Sequence, residues 1–215
     1  MRMRKKKWAD PYLEEHSDYA LSDPQELRGR WSEVLGKEEV HVEIGTGKGD
    51  YMNAMAAMYP ETAWSGIEKD RSAAAVAVRK AIENGTDLDR KRMIVGDAEH
   101  LLEWFAEGEA DVIHLNFSDP WPKTRYHKRR LSSKTFLDMY RVILKPEGCI
   151  RMKTDNQDLF EDSVLYFLEN GFTLKEFSVN YRRNPHEEDA VTEYEQRFME
   201  QGMPVYQLAA YPKRG

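Results

Sequence analysis

The stretch VHVEIGTGKGDYMNAMAAMYP, Val40 to Pro60, reads as strand, loop and helix in one pass. Val40 to Ile44 is a short run rich in β-branched residues, suited to a buried strand. Gly45, Gly47 and Gly49 end it, because glycine permits sharp backbone turns and close approach by a ligand. Met52, Met55, Ala56 and Tyr59 then recur at helical spacing until Pro60 stops the helix. Met52, Met55 and Met58 are read as core packing on that helix.

The same unit repeats along the chain. Ala63–Ile67 is a second strand, and Ser72 is the expected N-cap of a helix carrying Val76, Val78 and Ile82 that Gly85 ends. Arg92–Val95 is a third strand, followed by a short helix at Leu101–Phe105. Ala110–Phe117 is a fourth, before a helix marked by Phe136, Tyr140 and Leu144. Pro146-Glu-Gly148 turns into a fifth strand, Cys149–Lys153, and Leu159–Leu168 is helical. Phe172–Val179 and Val205–Tyr211 are two more strands, joined by a polar segment with a short helix at Thr192–Met199. Five alternations of strand and helix imply an α/β fold: a mostly parallel sheet with helices on both faces.

The chain has 215 residues, 40% of them hydrophobic, enough for one sizeable core. A single domain over 1–215 is expected, with a basic N-terminal arm at about 1–25 that holds no strand. No apolar run approaches a membrane span and no apolar segment follows the basic start, so a cytoplasmic protein is expected. The one cysteine, Cys149, allows no internal disulfide and reads as a small buried residue. His41 and His114 lie within strands and read as structural; no Cys/His cluster has metal-ligand spacing, so no metal is expected.

Net charge is −6, from 32 Lys+Arg against 38 Asp+Glu. Ten of the cations fall in two clusters: Arg2, Arg4, Lys5, Lys6 and Lys7, and Lys123, Arg125, Lys128, Arg129 and Arg130. Without them 22 cations face 38 acids, a body of −16. An acidic body with concentrated basic patches attracts polyanions even though the whole is anionic.

In such folds ligands bind beyond the carboxyl ends of the strands. The glycine loop there fits neither Gly-x-Gly-x-x-Gly, since Asp50 takes the last place, nor a phosphate loop, since Gly49 follows Lys48. Glu68, about twenty residues on, can accept both ribose hydroxyls of a nucleoside. Asp97 can accept an adenine amino group, and Glu43 can pair with a ligand ammonium. A nucleoside site with an ammonium contact and no phosphate grip suits S-adenosylmethionine better than NAD.

Glu43-Ile-Gly-Thr-Gly-Lys-Gly49 resembles the first motif of class I S-adenosylmethionine-dependent methyltransferases. Asn116-Phe-Ser-Asp-Pro-Trp-Pro-Lys123, Lys153-Thr-Asp-Asn156 and Thr192-Glu-Tyr-Glu195 resemble the bacterial tRNA (guanine-N7)-methyltransferases, which act on a guanine of the tRNA variable loop. The resemblance covers essentially the whole chain. It implies a Rossmann-like seven-stranded sheet with its last strand antiparallel. It implies that Glu43, Glu68, Asp97 and Asp119, with Gly45, Gly47 and Gly49, form the cofactor pocket. It places Lys123, Asp155, Thr192, Glu193, Tyr194 and Glu195 against the RNA substrate, and Arg125, Tyr126, His127, Lys128, Arg129 and Arg130 in an RNA-binding segment.

Asp119, followed directly by Pro120, Trp121 and Pro122, is then the expected catalytic carboxylate, holding the guanine and stabilising its growing positive charge. Asp155 reads either as a second carboxylate on the base side or as the N-cap of the helix from Asn156. Thr192 and Glu195 also fit a capping box. Trp121 is expected to pack rather than stack on RNA. The partner is tRNA, with no membrane; monomer and homodimer are both open. Competing readings are a methyltransferase for another RNA base or for protein, an NAD-dependent oxidoreductase, and a non-enzymatic RNA-binding module.

Overall fold

The computed structural model describes residues 5–213, so Arg2 and Arg4 of the first basic cluster lie outside the described residues. The helices are α1 (Ala9–Glu15), α2 (Trp31–Leu35), α3 (Asp50–Met58), α4 (Arg71–Asn84), α5 (Leu101–Trp104), α6 (Lys134–Ile143), α7 (Gln157–Glu169) and α8 (Glu193–Glu200). The strands are β1 (Ala20–Leu21), β2 (Glu39–Ile44), β3 (Thr62–Ile67), β4 (Lys91–Ile94), β5 (Ala110–Asn116), β6 (Leu144–Thr154), β7 (Phe172–Ser178) and β8 (Tyr206–Pro212). They form one sheet in the order β1-β4-β3-β2-β5-β6-β8-β7, with β8 antiparallel to both β6 and β7 and the other neighbouring pairs parallel.

The sheet has eight strands where seven were expected. The extra one, β1, lies in the supposed arm: Ala20 pairs with Met93 and Leu21 with Ile94 at the β4 edge. Two residues cannot display an alternating pattern, so nothing in the sequence announced it. The arm is also folded ahead of β1. Ala9 and Leu13 of α1 are buried with Ala74, Ala75 and Val78 of α4. The Arg79 guanidinium lies 4.6 Å from the Trp8 ring centroid, and Arg71 pairs with Asp10.

The sheet is buried on both faces. Trp31, Trp104, Leu137 and Phe160 bring α2, α5, α6 and α7 onto one face; Leu13, Met52 and Val78 bring α1, α3 and α4 onto the other. Cys149 is buried, as expected. Met58 is not: it is 41% exposed, while Met52 and Met55 are buried. The cap of α4 is Asp70 rather than Ser72; its carboxylate accepts from the amides of Ser72 and Ala73 at 3.0 Å each. Among the described residues no helix is long and apolar enough to cross a membrane.

Because β2 to β6 run parallel, their carboxyl ends share one rim. The chain leaves β2 toward β3 and β4, then returns to place β5 on β2's other side. That reversal opens a crevice between the loops after β2 and β5.

Candidate active site

Glu43 ends β2 at this crevice, buried to 2% exposure. Asn116 at the end of β5 donates to its Oε1 at 3.1 Å, while Oε2 is buried with no partner. Burial lifts this carboxyl to about 7, against the smaller opposing effects of Asn116 and the Lys153 charge. An orphaned, buried carboxylate oxygen is costly unless a donor or cation arrives. Next to it, Gly45 and Gly47 have φ of +78° and +59°, and a side chain on Gly47 would meet only open space and the Gly45 carbonyl at 4.0 Å. Gly49 serves differently: a Cβ there would lie 2.9 Å from the Ala77 Cβ, so it lets α3 start close against α4.

Glu68 at the end of β3 holds the glycine loop. Its Oε2 accepts from the Gly47 amide at 2.9 Å and its Oε1 from the Asp70 amide at 2.8 Å. Burial raises its pKa, opposed by those two amides. A carboxylate offers about four acceptor positions, so capacity remains for two hydroxyls. Asp97 caps the turn Ala98–His100 through the Glu99 amide at 3.2 Å, with Lys69 at 3.5 Å.

After β5 the chain forms a strained lip. Phe117 (φ +50°) and Trp121 (φ +42°) both occupy the left-handed region, which non-glycine residues avoid at a cost of about 1–3 kcal/mol each. Between them stands Asp119, exposed to solvent. The surroundings enforce the shape. The Phe117 amide donates to the Lys153 carbonyl at 2.8 Å. The Phe117 ring meets Tyr194 edge-on at 5.2 Å. Arg130 Nε donates to the Pro120 carbonyl at 2.7 Å.

The basic run divides into two kinds of residue. Lys123, Arg125, Lys128 and Arg129 are exposed. Arg125 lies over the Tyr126 ring at 4.8 Å, and Arg129 over the rings of Trp121 and Tyr126 at 5.1 and 4.9 Å. Trp121 thus packs within the segment. His127 is half-buried, with Nδ1 3.2 Å from the Tyr166 hydroxyl. Arg130, expected among the RNA contacts, differs: it is 2% exposed and also donates to Asp162 at 2.6 Å. It fixes the lip from beneath, with almost none of its surface open to solvent.

Asp155, at the end of β6, is not the cap of α7. That role belongs to Asn156, whose side chain accepts from the Leu159 amide at 2.8 Å. Burial raises the Asp155 pKa. Tyr194 lies near both Asp155 and Asp119: burial first, then those two charges, push its hydroxyl up. The mouth therefore gathers Asp119, Asp155 and Tyr194. Thr192 caps α8 through the Glu195 amide at 3.1 Å, and exposed Glu193 pairs with Arg197 on the same helix. Glu195 does not complete a capping box. It is fully buried, and its carboxylate goes to Lys153 and Arg182. Sequence reasoning missed Asn116 as the partner of Glu43, and also Arg182 and Asp189, whose partners lie too far along the chain to show in any local spacing.

A methyltransferase family model, described as "Putative methyltransferase", matches residues 37–208. The tRNA (guanine-N(7)-)-methyltransferase of Bacillus licheniformis is 41% identical over 211 residues, covering 98% of each chain. That of Limosilactobacillus reuteri is 42% identical over 212 residues, covering 98% of this chain and 99% of its own. Among solved structures, the 16S rRNA methyltransferase KamB matches 86% of this chain and 94% of its own, with TM-score 0.64 and 14% identity. An antibiotic-related methyltransferase matches 85% and 92%, with TM-score 0.63 and 18% identity. These structural likenesses carry the fold alone. The agreement of the family model with relatives matched along nearly their whole length places the chain in the family of tRNA (guanine-N(7)-)-methyltransferases.

Proposed function

We infer that the protein transfers a methyl group from S-adenosylmethionine to N7 of a guanine in the tRNA variable loop, in the cytoplasm. The observation that carries this reading is the pairing, on one rim, of the orphaned Glu43 Oε2 with an exposed Asp119 at the head of a basic run. The donor set fits the cofactor. Glu43 would take its ammonium, the bared backbone at Gly45 and Gly47 would let it approach, Glu68 would accept its ribose hydroxyls and Asp97 its adenine amine. Bound there, the cofactor supplies an electrophilic methyl on a sulfonium sulfur.

Guanine N7 carries an in-plane lone pair and no proton, so its attack needs no general base. The protein's task is alignment, with reacting atoms about 3–3.5 Å apart beforehand. As the bond to N7 forms, positive charge grows on the purine. Asp119 and Asp155 face that charge as fixed carboxylates and accept hydrogen bonds from the base edge. Thr192 and Tyr194 border the same mouth. Lys123, Arg125, Lys128 and Arg129 hold the phosphates that bring the guanine there. Incubation with methyl-labelled S-adenosylmethionine and unmodified tRNA, then nucleoside analysis, tests the reading. Label is expected in 7-methylguanosine; label in another nucleoside or in protein would favour the rival substrates.

The split within the basic run gives a separate test. Arg129→Glu is expected to weaken tRNA binding and to flatten its logarithmic salt slope by about 0.7–0.9 for each phosphate no longer neutralised. Arg130→Met is expected to leave that slope unchanged and to slow methyl transfer by roughly 10-fold or more as the lip relaxes. Binding titrations across a salt series, with single-turnover rates, separate the two. A flattened slope for Arg130→Met would put that guanidinium in the RNA interface after all.

A further inference from the structure

Helix α8 carries Thr192 at its cap and Tyr194 in its first turn, yet ordinary packing scarcely fastens it. Its only buried residue is Glu195. Beneath it lie four charged side chains, each at most 7% exposed. Lys153 Nζ donates to Asp189 Oδ2 at 2.6 Å and to Glu195 Oε2 at 3.3 Å. Arg182 Nε donates to Glu195 Oε1 at 2.6 Å, and its Nη2 donates to Asp189 Oδ2. The Tyr51 hydroxyl donates to Asp189 Oδ1 at 2.7 Å. Two cations and two anions cancel, and every carboxylate oxygen has a donor.

This cluster joins parts of the fold that are distant in sequence: the end of β6, the turn Tyr181–Arg183, the loop before α8, α8 itself and α3. Lys153 holds two of the site's walls at once. Its carbonyl receives the Phe117 amide of the lip at 2.8 Å, and its ammonium holds α8. The cluster is backed by a buried chain running away from the site. Tyr51 meets His114 Nδ1 at 3.3 Å, His114 Nε2 meets His41 Nδ1 at 3.1 Å, and His41 Nε2 meets Glu39 at 2.8 Å. Burial lowers the pKa of both imidazoles and so favours their neutral forms, against the Glu39 carboxylate beside His41. Two imidazoles and one phenol then offer three protons for four contacts, and the long Tyr51–His114 contact is the one left without. The phenol proton is thereby committed to Asp189.

A buried ion cluster is poor evidence for stability, since desolvation offsets its attraction; its directional bonds can instead fix one geometry. We propose that Lys153, Arg182 and Asp189 are positioning residues that lock α8 against the lip, so that Thr192 and Tyr194 border the guanine between Asp119 and Asp155. Glu195 is then the anchor of α8 and not a substrate contact. This rests on the function proposed above.

The test uses the full chain with Arg182→Met, Arg182→Lys and Tyr51→Phe. Three readouts are needed: the dissociation constant of S-adenosylmethionine alone, kcat and KM for tRNA, and hydrogen exchange of amides 193–200. Arg182→Met is expected to lower kcat by roughly 10- to 100-fold, as small misplacements do, with cofactor affinity within about twofold and α8 amides deprotected. Arg182→Lys is expected to restore part of kcat, and Tyr51→Phe to give a smaller loss of the same pattern. A normal kcat with α8 loosened would overturn the proposal, as would cofactor affinity falling in step with kcat. If Arg182→Met does not fold, Arg182→Lys and Tyr51→Phe decide by the same criteria. Wild-type protein that methylates another nucleoside would defeat the proposed function, and the lock would then be judged by the same ratios on that substrate.

Discussion

Asp119→Ala is expected to slow methyl transfer by roughly 10²–10³-fold, the usual cost of removing one preorganised electrostatic partner of a transition state. The reason is placement. Asp119 stands exposed on a lip whose flanking residues, Phe117 and Trp121, are held in the left-handed region. The lip is braced by Arg130 from below and by the Lys153 carbonyl behind. A carboxylate so mounted keeps its position while charge grows on the base. Asp119→Asn keeps the size and one acceptor but loses the charge, so it is expected to recover only a small part of the rate. Cofactor affinity should change far less than turnover in both variants. Single-turnover rates at saturating tRNA, with cofactor titration, check this; near-normal turnover for either variant would remove Asp119 from the chemistry.

Glu43→Gln is expected to act in two opposite directions. The Glu43 carboxyl ionises at about 7 in the folded protein instead of about 4.5, chiefly because it is buried. Between those values the folded chain keeps a proton that the unfolded chain has lost. Stability from this group is therefore highest below pH 4.5 and falls as pH rises through 7, by up to about 3 kcal/mol. Glutamine carries no such charge, so the variant should melt higher than the parent at pH 8, with the difference narrowing toward pH 5. Cofactor binding should show the reverse. An ammonium ligand needs the ionised carboxylate, so affinity for S-adenosylmethionine should rise about fivefold between pH 6 and 7 and about twofold more above pH 7 before it levels off. Glu43→Gln should bind weakly at every pH and lose that dependence. Melting curves and cofactor titrations from pH 5 to 8 provide the check. A pH dependence retained by the variant would place the titrating group elsewhere.

Much of this site can be read in the sequence because parallel strands put their carboxyl ends on one rim. Acids at the ends of β2, β3, β4 and β6 then fall near one crevice whatever the detailed packing. What cannot be read is which charges turn inward. Arg129 and Arg130 are neighbours of equal charge, yet the turn Thr124–Arg129 leaves one over Trp121 at the surface and points the other at Pro120 and Asp162. Glu195 satisfies the local spacing of a capping box, but its partners Lys153 and Arg182 lie 42 and 13 residues away. Met52, Met55 and Met58 share a three-residue step that drifts about 60° around a helix each time, so the third leaves the buried face. Strand β1 was invisible because a two-residue strand has no period.

Attack by N7 itself, aligned by the lip and needing no base, is tested most directly by a tRNA that lacks this nitrogen. A tRNA carrying 7-deazaguanine at the acceptor position retains shape and pairing but has carbon in place of that nitrogen. The protein is expected to bind this tRNA with ordinary affinity and salt dependence, and to transfer no methyl group to it. Methyl incorporation into the 7-deaza tRNA at a rate comparable to the normal one would contradict the account.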